Sequence, residues 1–160
     1  MVARYNFLGY LAYGFDDKRQ QQIPVEDRDR YARALLTIAA ADGLSDAEKE
    51  YFANLSRAMD MPEDVVQHYL AYDAKSADLE QLLAPLRDRH PVPYLLYDAI
   101  KVSSVDGYTD KERARMESAA RMLGAKLEHL RALEGLVAAE NAIRDARLGV
   151  FRAMEAEDGS

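Results

Sequence analysis

Carboxylates recur in this chain at a fixed spacing beside a glycine. Residues 42–48 read Asp42-Gly43-Leu44-Ser45-Asp46-Ala47-Glu48, and residues 106–112 read Asp106-Gly107-Tyr108-Thr109-Asp110-Lys111-Glu112. Asp, Gly, Asp and Glu are identical in register, and Ser/Thr is a conservative fifth match. Two chemistries compete for such a phrase. Crowded carboxylate oxygens suit a hard cation such as Ca2+ or Mg2+. The same residue types also cap helices. Ser45-x-x-Glu48 and Thr109-x-x-Glu112 have capping-box spacing. Asp46 and Asp110 fall in the first helical turn, where the helix dipole favours negative charge. Gly43 and Gly107 suit the backbone conformation that ends a preceding helix.

Asp42 and Asp106 are the two positions that capping leaves over. Each falls at the C-terminal end of a helix, where the dipole disfavours an anion and backbone carbonyls lack partners. A carboxylate beside orphan carbonyls is an oxygen-rich pocket for a divalent cation. An aspartate that accepts N–H bonds from its own turn is the structural alternative. The phrase is not an EF-hand, which wants oxygen ligands five, three and one residues before the glycine and a glutamate six after. The first copy offers Ile38, Ala40, Asp42 and Lys49, the second Val102, Ser104, Asp106 and Arg113.

Helices must position these turns, because apolar residues recur at helical spacing and no sustained alternation marks a strand. A helix from the region of Pro24 runs to about Ala41, and further helices cover about 45–59 and 62–73. A fourth begins at Ser76 and is shortened by Pro85. After the linker His90-Pro91-Val92-Pro93 the order repeats, with helices over 94–105, 109–123 and from Lys126 onward. The two helices that lead into the turns are apolar nearly all round, as central helices are. Leu35, Leu36, Ile38 and Ala39 mark the first, and Leu95, Leu96, Ile100 and Val102 the second. Small residues, Ala39-Ala40 and Ser103-Ser104, allow the pair to approach closely. The expected architecture is therefore all-α. It is a compact, internally duplicated domain of about seven or eight helices, with two apolar central helices each ending in an Asp-Gly turn. It spans 26–154, with repeats over about 30–75 and 94–139. An aromatic segment precedes it (1–25) and a flexible tail follows (155–160).

With 160 residues, 49% of them hydrophobic and 31% charged, the chain can bury a substantial core. It has no cysteine, which excludes disulfides, thiolate metal sites and a thiol nucleophile. Its net charge of −7 argues against nucleic acid as a partner, because such binding rests on cationic phosphate contacts. No apolar run approaches the roughly 20 residues of a membrane span, and no secretory signal pattern opens the chain. A cytoplasmic location is the expectation. No phosphate loop, nucleophile elbow or zinc-binding His pair is present, so no enzymatic activity is expected. The three histidines, His68, His90 and His129, stand apart. Tyr5, Phe7, Tyr10, Leu11 and Tyr13 form an aromatic cluster near the amino terminus. It either covers its own domain or receives a protein partner; with Arg4 alone before Lys18, membrane contact is at most indirect.

An apolar helix ending in Ala41-Asp42-Gly43, followed by Glu48 and then Pro62-Glu63, resembles the signature of the tellurite-resistance TerB-like proteins. Val105-Asp106-Gly107 with Glu112 is a looser second match, and the resemblance covers roughly residues 30–140. It implies an all-α duplicated fold, no established catalysis, and a metal-binding or stress-associated scaffolding role. By that pattern the functional residues are Asp42, Asp46, Glu48, Asp106, Asp110 and Glu112. Two readings follow: a module that binds a divalent cation, in stress-response or membrane-associated complexes, or an adaptor that works through its aromatic amino terminus while the acidic turns are purely structural.

Overall fold

The central apolar helices decide the arrangement, because a helix apolar on every side must be surrounded. The computed structural model describes residues 25–58, 61–87 and 92–158 and contains seven α-helices and no strand among them. They are α1 (Val25–Ala39), α2 (Asp46–Ala58), α3 (Glu63–Leu70), α4 (Leu79–Leu83), α5 (Val92–Ser103), α6 (Asp110–Met122) and α7 (Leu127–Asp158). A single 3-10 turn, Ala84–Leu86, extends α4, and Pro85 lies within it. Proline lacks the N–H that an α-helix would use there.

Among the described residues, the most extensive packing joins α1 to α5. Leu35, Leu36, Ile38 and Ala39 of α1 are buried together with Leu95, Leu96, Ala99, Ile100 and Val102 of α5. The flanking helices then pack crosswise. α1 also meets α6 of the second copy, and α5 meets α2 of the first. α3 packs on α2, while α7 packs on α5 and α6. Thus each central helix is covered partly by the helix that follows the other turn.

Partly buried polar bonds pin this packing. Tyr31 of α1 donates to Asp98 Oδ2 of α5 at 2.7 Å, and the Asp98 side chain is buried. From α5, Tyr97 and Lys101 converge on Glu140 Oε2 of α7 at 2.6 and 2.9 Å. Such charge-assisted bonds are stronger than neutral ones and fix register.

Local chemistry sets the helix ends. Asp78, not Ser76, caps α4, its side chain accepting from the Gln81 N–H at 3.1 Å. Gly124, with φ of 72°, closes α6. The N–H of Ala125 reaches Ala120 O at 2.8 Å and that of Gly124 reaches Arg121 O at 3.0 Å, a Schellman motif. The following helix is continuous from Leu127 through Asp158, so the second copy has no separate counterpart of α4. Among the described residues, no helix is long and apolar enough to cross a membrane.

Ile100 is buried in the α1–α5 contact. Ile100→Ala is expected to lower unfolding free energy by about 2–5 kcal/mol, since a buried aliphatic truncation loses transfer energy and leaves a cavity. Urea denaturation checks it, and a loss below about 1 kcal/mol would mean that this contact is not central.

Candidate functional site

Both acidic turns are built alike. Gly43 and Gly107 adopt φ of 105° and 133°, a region in which a side chain is strained. Two residues past each glycine the next helix is capped reciprocally. The Ser45 N–H donates to Glu48 Oε2 at 2.7 Å, and the Glu48 N–H donates to Ser45 Oγ at 3.1 Å. The Thr109 N–H donates to Glu112 Oε2 at 2.6 Å, and the Glu112 N–H donates to Thr109 Oγ1 at 3.2 Å. The two capping boxes read in the sequence are thus both formed.

The caps have a second effect. Each turns its glutamate inward, leaving Glu48 2% and Glu112 4% exposed. Crosswise packing then sets the two turns face to face, with the Glu48 carboxyl against that of Glu112, within reach of a shared proton. Capping occupies Oε2 of each glutamate. The buried Oε1 of Glu48 has no hydrogen-bond partner. Removal from water pushes the Glu48 carboxyl up to about 7, and the adjacent Glu112 and the nearby Asp106 add repulsion in the same direction. The Ser45 N–H opposes them.

Of the six carboxylates expected at the turns, the structure brings Glu48 and Glu112 together, with Asp106 close enough to act on Glu48. Asp42, Asp46, Asp106 and Asp110 have exposed side chains. Among the described residues, no group of three or more His, Cys, Asp or Glu side chains is placed to hold a metal ion. The emphasis within the phrase therefore shifts. Asp42 and Asp106 stood out because capping left them unexplained, whereas the buried chemistry belongs to the glutamates that capping had explained. The cap and the buried pair use different oxygens of the same side chain. A local motif reveals the first and only tertiary packing reveals the second.

Beside the second turn lies a shallow groove of about 270 Å³ between Ile100, Ser104, Tyr108 and Glu134. Its polar groups engage one another. The Tyr108 hydroxyl donates to Glu134 at 3.0 Å, and the Arg113 guanidinium lies 5.3 Å from the centre of the Tyr108 ring. His68 lies 3.2 Å from an Arg33 nitrogen, and His129 lies beside Glu128, so neither joins the turns.

Compared with solved structures, the chain superimposes on the crystal structure of a tellurite resistance protein from Nostoc punctiforme with a TM-score of 0.74. The two share 31% sequence identity over 91% of this chain and 90% of that one. The chain belongs to the TerB-like tellurite-resistance family. No protein-family model matches it, and no curated protein does. The TerB-like fold expected from the doubled Asp-Gly phrase is the fold observed, all-helical and compact. The cluster Tyr5, Phe7, Tyr10, Leu11 and Tyr13, expected to receive a partner, lies outside the described residues, as does His90.

The glutamate pair makes stability depend on pH. In an unfolded chain Glu48 titrates near its ordinary 4.5, and in the fold near 7. Below pH 4.5 both states carry the proton and the pairing is unpenalised. Between 4.5 and 7 the unfolded state loses its proton first, so this contribution to stability falls, and above 7 it is gone. Glu48→Gln keeps an acceptor for the Ser45 N–H and supplies a donor to Glu112. At pH 8 without added cation it is expected to raise stability by about 1–2 kcal/mol, allowing for solvent screening. It should also flatten the decline between pH 4.5 and 7. Thermal and urea melts across that range check both, and a destabilised variant at pH 8 would contradict the repulsion.

Proposed function

We propose that this TerB-like protein is a non-enzymatic module that takes a divalent cation between its two facing turns, with Glu48 and Glu112 as the central ligands. The observation that carries the reading is the buried, unpartnered Oε1 of Glu48 held against a second carboxylate. Two anions forced together out of water need either a proton or a cation between them. The donors are carboxylate oxygens, which select Ca2+ or Mg2+ over softer metals. Two glutamates supply only part of a shell of six to eight oxygens, so backbone carbonyls and water would complete it. Asp106 contributes negative potential to the same place. Asp42, Asp46 and Asp110 would act as an outer acidic rim that concentrates cations rather than as ligands.

Bound between the glutamates, a cation would tie the α2 and α6 amino-terminal ends together and so lock the two copies. That suits a role as a binding or scaffolding component in a stress response. The likeness to a protein named for tellurite resistance supports that setting.

Proton and cation compete for one place, and their competition is measurable. Calorimetric titration with Ca2+ or Mg2+ at pH 8 is expected to show binding, with a rise in melting temperature that follows RT ln(1 + [L]/Kd). Lowering the pH from 8 to 6 should weaken binding by roughly tenfold as one proton must be displaced. Glu48→Gln and Glu112→Gln should each weaken it by at least about tenfold, while Asp46→Asn changes it little. If millimolar cation produces neither heat nor a shift in melting at pH 8, the proposal fails.

A further inference from the structure

Each Asp-Gly turn sets a carboxyl group beside the one backbone amide with which it can close a five-membered ring. The reaction needs an amide nitrogen free to attack and a carboxyl carbon free to swing onto it. A fold normally prevents this, because nearly every buried backbone N–H and C=O is engaged. Here both groups are released. α1 ends at Ala39 and α5 at Ser103, so both pairs lie beyond a helix. Among the described residues, the N–H groups of Gly43 and Gly107 reach no acceptor, and the carbonyls of Asp42 and Asp106 receive no donor. The Asp42 and Asp106 side chains are exposed and hold neither a hydrogen bond nor an ion pair.

Glycine removes the steric obstacle. The ring closes against the side chain of the residue that follows the aspartate, and glycine has none. A Cβ at Gly43 or Gly107 would meet no atom within 4 Å, so the surrounding space is open too. Other aspartates are held. Asp98 is buried and bonded to Tyr31, and Asp29 engages Arg33 and Tyr69. Asp73 and Asp78 accept the N–H groups of Ser76 and Gln81. Asp46 and Asp110 are exposed, but each begins a helix and precedes a residue that carries a Cβ.

We propose that Asp42 and Asp106 are sites of spontaneous isoaspartate formation, with Asp106 the faster of the two. The glycine nitrogen attacks Cγ of the protonated aspartate, and an N–Cγ bond forms. The Cγ–OH bond breaks, and the hydroxyl leaves with the amide proton as water. The product is a succinimide. Water then adds at one of its two carbonyls. Addition at Cγ restores aspartate, whereas addition at the main-chain carbonyl leaves the backbone running through Cγ, one methylene longer. One water leaves and one enters, so nothing is oxidised and the mass is unchanged. No cation takes part in any step. Asp106 leads because it and Gly107 are both exposed, whereas Gly43 is half-buried. The added methylene falls between α5 and Thr109, and so loosens the reciprocal cap that turns Glu112 inward.

Ageing the native full chain for weeks at 37 °C and neutral pH, in water enriched in heavy oxygen, tests this. Peptide mapping with electron-transfer fragmentation distinguishes isoaspartate from aspartate. It is expected to find isoaspartate first at 106 and then at 42, each at least about tenfold above Asp46 and Asp110, whose following residues carry a Cβ. Each isomerised residue should contain one heavy oxygen, taken up as the succinimide opens. Asp106→Glu should abolish the reaction at 106 and leave the rate at 42 unchanged, because glutamate would need a six-membered ring. Asp106→Asn should react faster than the native chain through the same ring, with ammonia leaving in place of water. Both substitutions are at an exposed position, and melts of the fresh proteins verify folding. The aged chain should melt at a lower temperature, and a chain carrying both Asp42→Glu and Asp106→Glu should not. A third pair, Asp158-Gly159, gives the same dipeptide away from the turns. Isoaspartate at 158 but at neither turn overturns the proposal, as does reaction at the turns only when urea unfolds the chain. Faster reaction at 42 than at 106 overturns the ranking, and unchanged melting of the aged chain overturns the link to the cap.

Discussion

Two glutamate side chains, one from each half of the chain, are held together away from water, and much of the architecture serves that constraint. Left to themselves they would separate, because like charges repel and both lose hydration on burial. They stay because each is fastened at its own helix start. A serine or threonine hydroxyl and a backbone N–H hold the glutamate in a capping box, and that box is part of how α2 and α6 begin. Moving either carboxylate outward would uncap a helix, which costs about 1 kcal/mol. The helices themselves cannot retreat, because α2 packs on α5 and α6 packs on α1, across the central pair. Local capping aims the carboxylates, and tertiary packing closes the distance between them.

The central pair is therefore more than a hydrophobic core. Burial of Leu35, Leu36 and Ile38 against Leu95, Leu96 and Ile100 brings together the ends of two helices whose following turns are acidic. Each buried aliphatic side chain contributes roughly 1.5–3 kcal/mol, so several of them outweigh one strained carboxylate pair. The strain localises in a titratable group, where a proton relieves it. A protein can retain such a pair when its surroundings are stable enough to over-determine it.

Local chemistry in the sequence was enough for the all-helical class, the doubled phrase, the central position of the helices before each turn and both capping boxes. Each of these depends on residues within a few positions of one another. Meeting of Glu48 and Glu112, sixty-four residues apart, depends on the crosswise packing of α2 on α5 and of α6 on α1, for which no short-range signal exists. Residue accounting at one turn even pointed away from them, since a glutamate with a capping role looked fully explained. The α4 cap was misplaced by two residues for a similar reason. Ser76 and Asp78 are both good caps, and only the second has Leu79 and Leu83 after it at the spacing that buries both. The helix from Lys126 onward was legible as well, since no proline interrupts residues 127–158, but its length was not.

Duplication explains why equivalent residues meet. In a two-fold contact between identical partners each residue faces its counterpart or that counterpart's neighbours, and a chain containing two related copies inherits the same geometry within itself. Glu48 faces Glu112 because they occupy the same place in the two copies. The rule predicts a like-charge encounter wherever a duplicated acidic turn lies near the pseudo-axis, without any need for the two carboxylates to have arisen separately. It also marks where symmetry ends. α3 stops after eight residues while its counterpart α7 continues for 32. The extra length carries no residue of the acidic turns, and its residues 142–156 are exposed. Features shared by both copies belong to the site at the pseudo-axis. The added length of α7 has no counterpart in the first copy, so the pseudo-symmetry gives it no place at the acidic turns.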